Sequence, residues 1–370
     1  MLETATGYSR RQFLTQASYF GAFYAIAGAA PFPAIAASLS DDPRISSTPV
    51  VDAGFASVRE IGEGAYATIS DTSKGLTTMC NGGFVFGKDA ALLLEGFVTA
   101  NGAAFQMSAL RKVSQAPAAG ALDTHYHFDH SCGNSFYGAN GIQLWGHAAV
   151  GKRITESYEP LQGLEKAAIL GGVEKRVQEA KSDAVRQHAQ SDVNALSGVV
   201  DIVKKTTLTL PNRPLDPAKL PLNVDLGGYP IVIEHFPGHS GTDLIVRVPE
   251  QKVVYTGDLL FTGMYPVCFD EKATISGWRA TLKTFASYEK DTIFVPGHGR
   301  ISSQEDITFL RSVFDDIAEQ AEKLHKAGVP VGEAVDRYMV PEKYKTLGIF
   351  AWGFTIGPAI AKLYSEWGAK

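Results

Sequence analysis

His125-Tyr126-His127-Phe128-Asp129-His130 sets three imidazoles and a carboxylate within six residues. The apolar run ending at Leu122 reads as a strand that delivers the chain to this segment. Side chains alternate along extended backbone, so His125 and His127 face one side and can bind one metal. A turn after His127 would then send Asp129 and His130 toward a neighbouring position. Two imidazoles plus a further nitrogen or oxygen donor are what a hydrolytic zinc site needs, because one coordination position must stay open for water. A solvated His-rich loop is the alternative. Nine histidines in 370 residues are too few for this spacing to arise readily by chance.

Three later segments repeat one pattern, in which an apolar strand runs through a tight turn to a metal-competent side chain. His239 stands in Phe236-Pro237-Gly238-His239 after Ile231-Val232-Ile233, and Asp258 in Tyr255-Thr256-Gly257-Asp258 after Val253-Val254. His298 stands in Phe294-Val295-Pro296-Gly297-His298 after Ile293. Each is weak alone, since a single His after Pro-Gly is commonly a loop residue and a single Asp a turn former.

Taken together and in this order, the four motifs resemble the metallo-β-lactamase superfamily over about residues 75–300. The resemblance implies a four-layered αββα sandwich of α+β class with the site at one edge between the sheets. It implies that His125, His127 and His239 hold a first metal, that Asp129, His130 and His298 hold a second, and that Asp258 bridges them. Zn2+, two ions per chain, is the expected cofactor, with Fe or Mn as alternatives. Zinc β-lactamases usually carry Cys or Ser at the bridging position, so Asp258 together with His130 is more similar to glyoxalase II, lactonases and phosphodiesterases. The family's Asp before the first motif is Glu95 here, in Leu94-Glu95-Gly96.

The expected activity is binuclear metal-dependent hydrolysis of an ester, thioester or related bond in a small molecule, with Asp129 as the catalytic group that orients water and shuttles its proton. Alternatives are a mononuclear iron persulfide dioxygenase, a periplasmic metal-binding or maturation protein without turnover, and a β-lactamase.

Outward from the motifs, Met79–Asp89 and Ala90–Leu94 read as a hairpin, and Ile142–Trp145, Thr206–Leu210 and Leu244–Val248 as further strands. Between them the chain turns polar and Ala-rich, with Leu164, Ala168, Val173, Val177, Ala180 and Val185 at near-helical intervals. This predicts a helical insert over about 151–196 that roofs the cleft and selects substrate, or else supplies the interface of a homodimer. Ser302-Ser303-Gln304-Glu305 reads as a capping box before Ile307, Leu310, Phe314 and Ile317. The expected organisation is therefore a leader at 1–37, a catalytic domain at 38–300 and a C-terminal helical extension at 301–370.

The leader holds Ser9-Arg10-Arg11-Gln12-Phe13-Leu14, an apolar run and Ala34-Ile35-Ala36, and resembles a twin-arginine signal peptide. The run from Ala17 to Ala30 is shorter than the ~20 residues that cross a bilayer, so no stable span is expected in the mature form. The expected partner is the twin-arginine export machinery and the expected location the periplasm. A formal charge of −5 without a basic block argues against nucleic acid. Three cysteines cannot build a disulfide framework, although Cys80 and Cys132 leave one pairing open. His147 and His235 read as structural, His188 and His325 as solvated, and Phe350, Trp352, Phe354 and Trp367 as packing.

Overall fold

The computed structural model describes residues 42–368, so the expected leader lies outside the described residues. The first sheet has eight strands in sequential order: β1 (Val51–Asp52), β2 (Ala56–Gly62), β3 (Ala65–Ser70), β4 (Gly82–Phe86), β5 (Ala91–Leu94), β6 (Ala118–Leu122), β7 (Leu144–His147) and β8 (Arg213–Leu215). Pairing is antiparallel from β1 to β5 and parallel from β5 to β8. The second sheet runs β13 (Ile293–His298), β12 (Val253–Phe261), β11 (Leu244–Val248), β10 (Pro230–His235), β9 (Leu222–Asp225), with only β12 and β13 parallel.

Alternation along the strands packs the sheets face to face. Ile231 and Ile233, Leu244 and Val246, and Val253 and Tyr255 enter one core with Val85, Leu92 and Trp145 of the first sheet. The residues between them, Ile245 and Val254, face the opposite way and meet helices. Among those helices are α7 (Ile275–Phe285) and α8 (Gln304–Lys326), which supply Trp278, Leu282, Leu310 and Phe314. On the other flank, α1 (Ala100–Val113) and α3 (Asn134–Ala139) cover the first sheet with Ala103, Leu110 and Tyr137. The order helix, sheet, sheet, helix is the four-layered sandwich the resemblance implied.

The insert is three helices, α4 (Val150–Gly163), α5 (Lys166–Gln178) and α6 (Asp183–Lys205). It is longer than expected at its C-terminal end, and the strand expected at Thr206–Leu210 is irregular chain instead. Its apolar stripe is also phased differently. Leu164 and Ala168 are exposed, because α4 ends at Gly163 and each helix restarts the periodicity. The buried face is Ile154, Tyr158, Leu161, Ile169, Val173, Leu196 and Val199, in one core with Phe350, Phe354 and Ile356 near the C-terminus. Insert and C-terminal segment therefore cover each other. The segment continues through α9 (Val331–Arg337) and α10 (Ile356–Glu366). The capping box of α8 uses Ser303 and Asp306, one residue later than read. Among the described residues, no helix is long and apolar enough to cross a membrane.

Candidate metal centre

The four motifs meet where the two sheets end together. After β6 the chain passes through His125 and His127, and His127 caps the one-turn helix α2 (Phe128–Ser131), which carries Asp129 and His130. The expected turn is thus helical. His239 follows β10, held by Asp243, whose carboxylate accepts the backbone N–H of His239 and of Ser240, each at 2.9 Å. Asp258 is a correction in placement: it lies within β12, at an irregularity in its pairing with β13, rather than past a strand end. His298 is the last residue of β13. Gly297 is required there, because a Cβ at that position would lie 1.9 Å from Asp258 Oδ1.

Two donor groups result, His125, His127, His239 and Asp258 in one and Asp129, His130 and His298 in the other, with the donor atoms of each within 4.8 Å of one another. None of the seven residues is more than 5% exposed. In the first group His127 Nδ1 lies 3.0 Å from His125 Nε2 and 2.8 Å from His239 Nε2. Asp258 Oδ2 is 3.3 Å from His239 Nε2. In the second, His298 Nε2 is 3.0 Å from Asp129 Oδ2, and His130 Nε2 is 3.2 Å from Asp258 Oδ1. Asp258 therefore faces both groups, one oxygen to each.

The far side of each imidazole offers a partner for its proton. Thr124 Oγ1 donates to Glu95 at 2.6 Å and is left to accept from His125 Nδ1–H at 3.1 Å. His239 Nδ1–H donates to the Val267 carbonyl at 2.9 Å. His127 Nε2 faces Asp270 Oδ2 at 3.3 Å. With each ring protonated on that outer nitrogen, the inner nitrogens of all three converge as lone pairs in the first group. Burial and the surrounding imidazoles hold His125 well below the ordinary imidazole range. Burial, only partly offset by Asp258, takes His239 down to about 3. In the second group, buried Asp129 Oδ2, His130 Nε2 and Asp258 Oδ1 contact other residues of the seven and take no hydrogen bond from the rest of the described chain. Such a donor set, buried imidazole nitrogens beside buried carboxylate oxygens, fits divalent cations.

Glu95, the departure from the family pattern, is buried and occupies the outer position. Its carboxylate receives Thr124 and lies 3.2 Å from His130 Nδ1, from a backbone at φ +74. Asp270 has no counterpart in the sequence reading. It sits in Cys268-Phe269-Asp270, where no local pattern marks it, and only the fold brings it to His127. Burial opposes its ionisation, but the bond to His127 and the charge of Arg153 outweigh this and hold the carboxyl below the usual range.

Other candidates lie elsewhere. Cys80, Cys132 and Cys268 are all free and buried, and Cys80 Sγ donates to the Asp129 carbonyl at 3.1 Å. His147 and His235 pair with each other, their rings 5.0 Å apart, away from the donors. His188 is stacked on Trp352, and His325 packs on Tyr364 and Trp367, so neither is merely solvated. Phe354 packs against Phe269, which stacks on His127 at 4.9 Å.

The sequence model of the metallo-beta-lactamase superfamily matches residues 76–298. No curated protein matches the sequence. Among solved structures, a double mutant of the sec-alkyl sulfatase PisA1 aligns with TM-score 0.54 and 15% identity over 84% of this chain and 50% of that one. The chain thus spans about half the length of that enzyme. TMB-1 aligns with TM-score 0.46 and 17% identity over 70% of this chain and 97% of that one.

Proposed function

The chain belongs to the metallo-beta-lactamase superfamily, and from that premise we propose that it is a binuclear metallo-hydrolase acting on an ester, thioester or related bond of a small molecule. The observation that carries this reading is the convergence of three imidazole nitrogens in one group, joined by Asp258 to a second group of buried donors. His125, His127 and His239 would hold one cation and Asp129, His130 and His298 the other, with Asp258 shared. Zinc suits the mix of imidazole and carboxylate, and iron or manganese is the competing occupant. Two cations held there would supply a nucleophile from water at neutral pH and draw charge from the oxygen under attack.

The chain's own residues do the rest. Asp129, its Oδ2 between His298 and His130, orients the attacking water and takes its proton for delivery to the leaving group. Phe261, stacked on His298, and Phe269, stacked on His127, wall the donors with apolar surface and limit water entry. The export reading joins this one: a leader with Arg10-Arg11 would carry the folded, metal-loaded enzyme to the periplasm, and Arg10→Lys with Arg11→Lys should leave the precursor in the cytoplasm.

The decisive experiment is metal analysis of the purified protein, followed by turnover on ester, thioester, lactone, phosphodiester, alkyl sulfate and β-lactam panels. Close to two metals per chain is expected, with hydrolysis lost on chelation and restored by zinc. Stoichiometric iron with oxygen-dependent consumption of a persulfide would replace the reading with the dioxygenase, and full metal with every panel silent would favour a binding protein.

A further inference from the structure

The insert reaches the donor groups through one side chain. Arg153, on the second turn of α4, donates from NH2 to Asp270 Oδ2 at 2.8 Å and to the Tyr126 hydroxyl at 2.8 Å. Its other terminal nitrogen pairs with Glu271, and its guanidinium lies 4.6 Å from the centre of the Tyr126 ring. Tyr126, between two donor histidines in sequence, turns its hydroxyl away from them and donates to the same Asp270 oxygen at 2.5 Å. That oxygen also faces His127 Nε2. Asp270 is fully buried, and its second oxygen accepts the Lys272 backbone N–H at 2.7 Å.

We propose that Asp270, oriented by Arg153 and Tyr126, is a positioning residue for His127, and that the insert is thereby a working part of the metal centre rather than a detachable roof. The inference rests on the metal-binding reading above. The physical argument concerns His127 alone of the three first-group imidazoles. His125 leans on its neighbour Thr124 and His239 on a main-chain carbonyl, whereas His127 depends on a carboxylate whose own orientation is set by a side chain from another structural unit. A carboxylate behind an imidazole fixes ring orientation, keeps the proton on the far nitrogen and makes the near nitrogen a better donor. Without Arg153, Asp270 would be a buried carboxylate short of a cation, and its hold on the ring would slacken.

The test measures zinc affinity by competition with a chromophoric chelator for the full chain, Asp270→Ala, Arg153→Met, the double variant, and Lys152→Met as an exposed control on the same helix. Asp270→Ala should weaken one of the two zinc ions by about 10–100-fold. Arg153→Met should weaken the same ion by less, the double variant no more than Asp270→Ala, and the control not at all. A second readout needs no metal: long-range nitrogen–proton NMR spectra of the metal-free protein should show His127 protonated at Nε2, and a mixture of tautomers in Asp270→Ala. Unchanged zinc affinity with an unchanged His127 tautomer in Asp270→Ala overturns the proposal. A wild-type protein that binds no metal would sink the hydrolase reading instead, and the tautomer spectra would still decide whether Asp270 positions the ring.

Discussion

Two regions of this molecule bury carboxylates, and they treat them differently. Where the insert meets the C-terminal segment, Asp192 of α6 accepts the Gly353 backbone N–H at 3.1 Å and lies 3.4 Å from Arg176 NH2. Its neighbour His188 stacks on Trp352 with the rings 4.2 Å apart. At the donor groups, by contrast, Asp129 Oδ2 and Asp258 Oδ1 are buried against imidazoles of the same cluster, His298 at 3.0 Å and His130 at 3.2 Å. A carboxylate whose oxygens are filled by its own chain closes a structural contact. One held among imidazoles sits in a donor cluster that could hold a cation, and the two cases should answer differently to the same kind of substitution.

The largest effect is expected at Asp258, which faces both groups. Asp258→Asn should bring metal content below two per chain and lower turnover on the order of 10³-fold, the several kcal/mol that a cation contributes to transition-state charge. Two tightly held metals and near-normal turnover in that variant would remove the distinction between the two kinds of carboxylate. Glu95→Gln is the intermediate case, because Glu95 acts through His130 and not on the substrate. Competition titration should show the ion at Asp129, His130 and His298 weakened by about 10–100-fold while the first group keeps its own.

On metal content the smallest effect is expected at Asp192, and on stability its effect should have the opposite sign. Burial, offset in part by Arg176 and the Gly353 bond, pushes its pKa up to about 6. The folded state then holds the proton more tightly than the unfolded chain, so this group's contribution is fullest below the ordinary carboxyl pKa and is lost as pH rises toward 6 and beyond. Asp192→Asn keeps an acceptor for Gly353 without the charge. It should raise stability at pH 7–8 by at most about 3 kcal/mol, with no gain near pH 4 and no change in metal content. Denaturant melts at the two pH values check this, and a destabilised variant at pH 8 would show that the charge itself holds the insert to the C-terminal segment.

What could be read without coordinates divides along the same line. His125, His127, Asp129 and His130 are spaced within six residues, and the Pro-Gly turns before His239 and His298 follow apolar strands, so local pattern alone exposes them. Ile231, Leu244 and Val253 alternate with outward neighbours, which makes the facing sheets readable as well. The insert was legible in kind but not in phase, since helix breaks at Gly163 and before Asp183 reset a stripe that looked continuous. Asp270 and Arg153 were not legible at all.

The amino-acid sequence by itself pointed, through motifs that resemble one family, to the fold family and seven candidate donor residues, and through near-helical spacing to a helical unit between His130 and His239. Only the tertiary structure decided which oxygen and nitrogen atoms face one another, that Asp258 reaches both groups from within a strand, and that Arg153 and Asp270 stand behind His127. The contacts of Asp270 with His127 and Arg153 join residues more than a hundred positions apart. Their geometry follows from how helices and sheets pack, which no local pattern records.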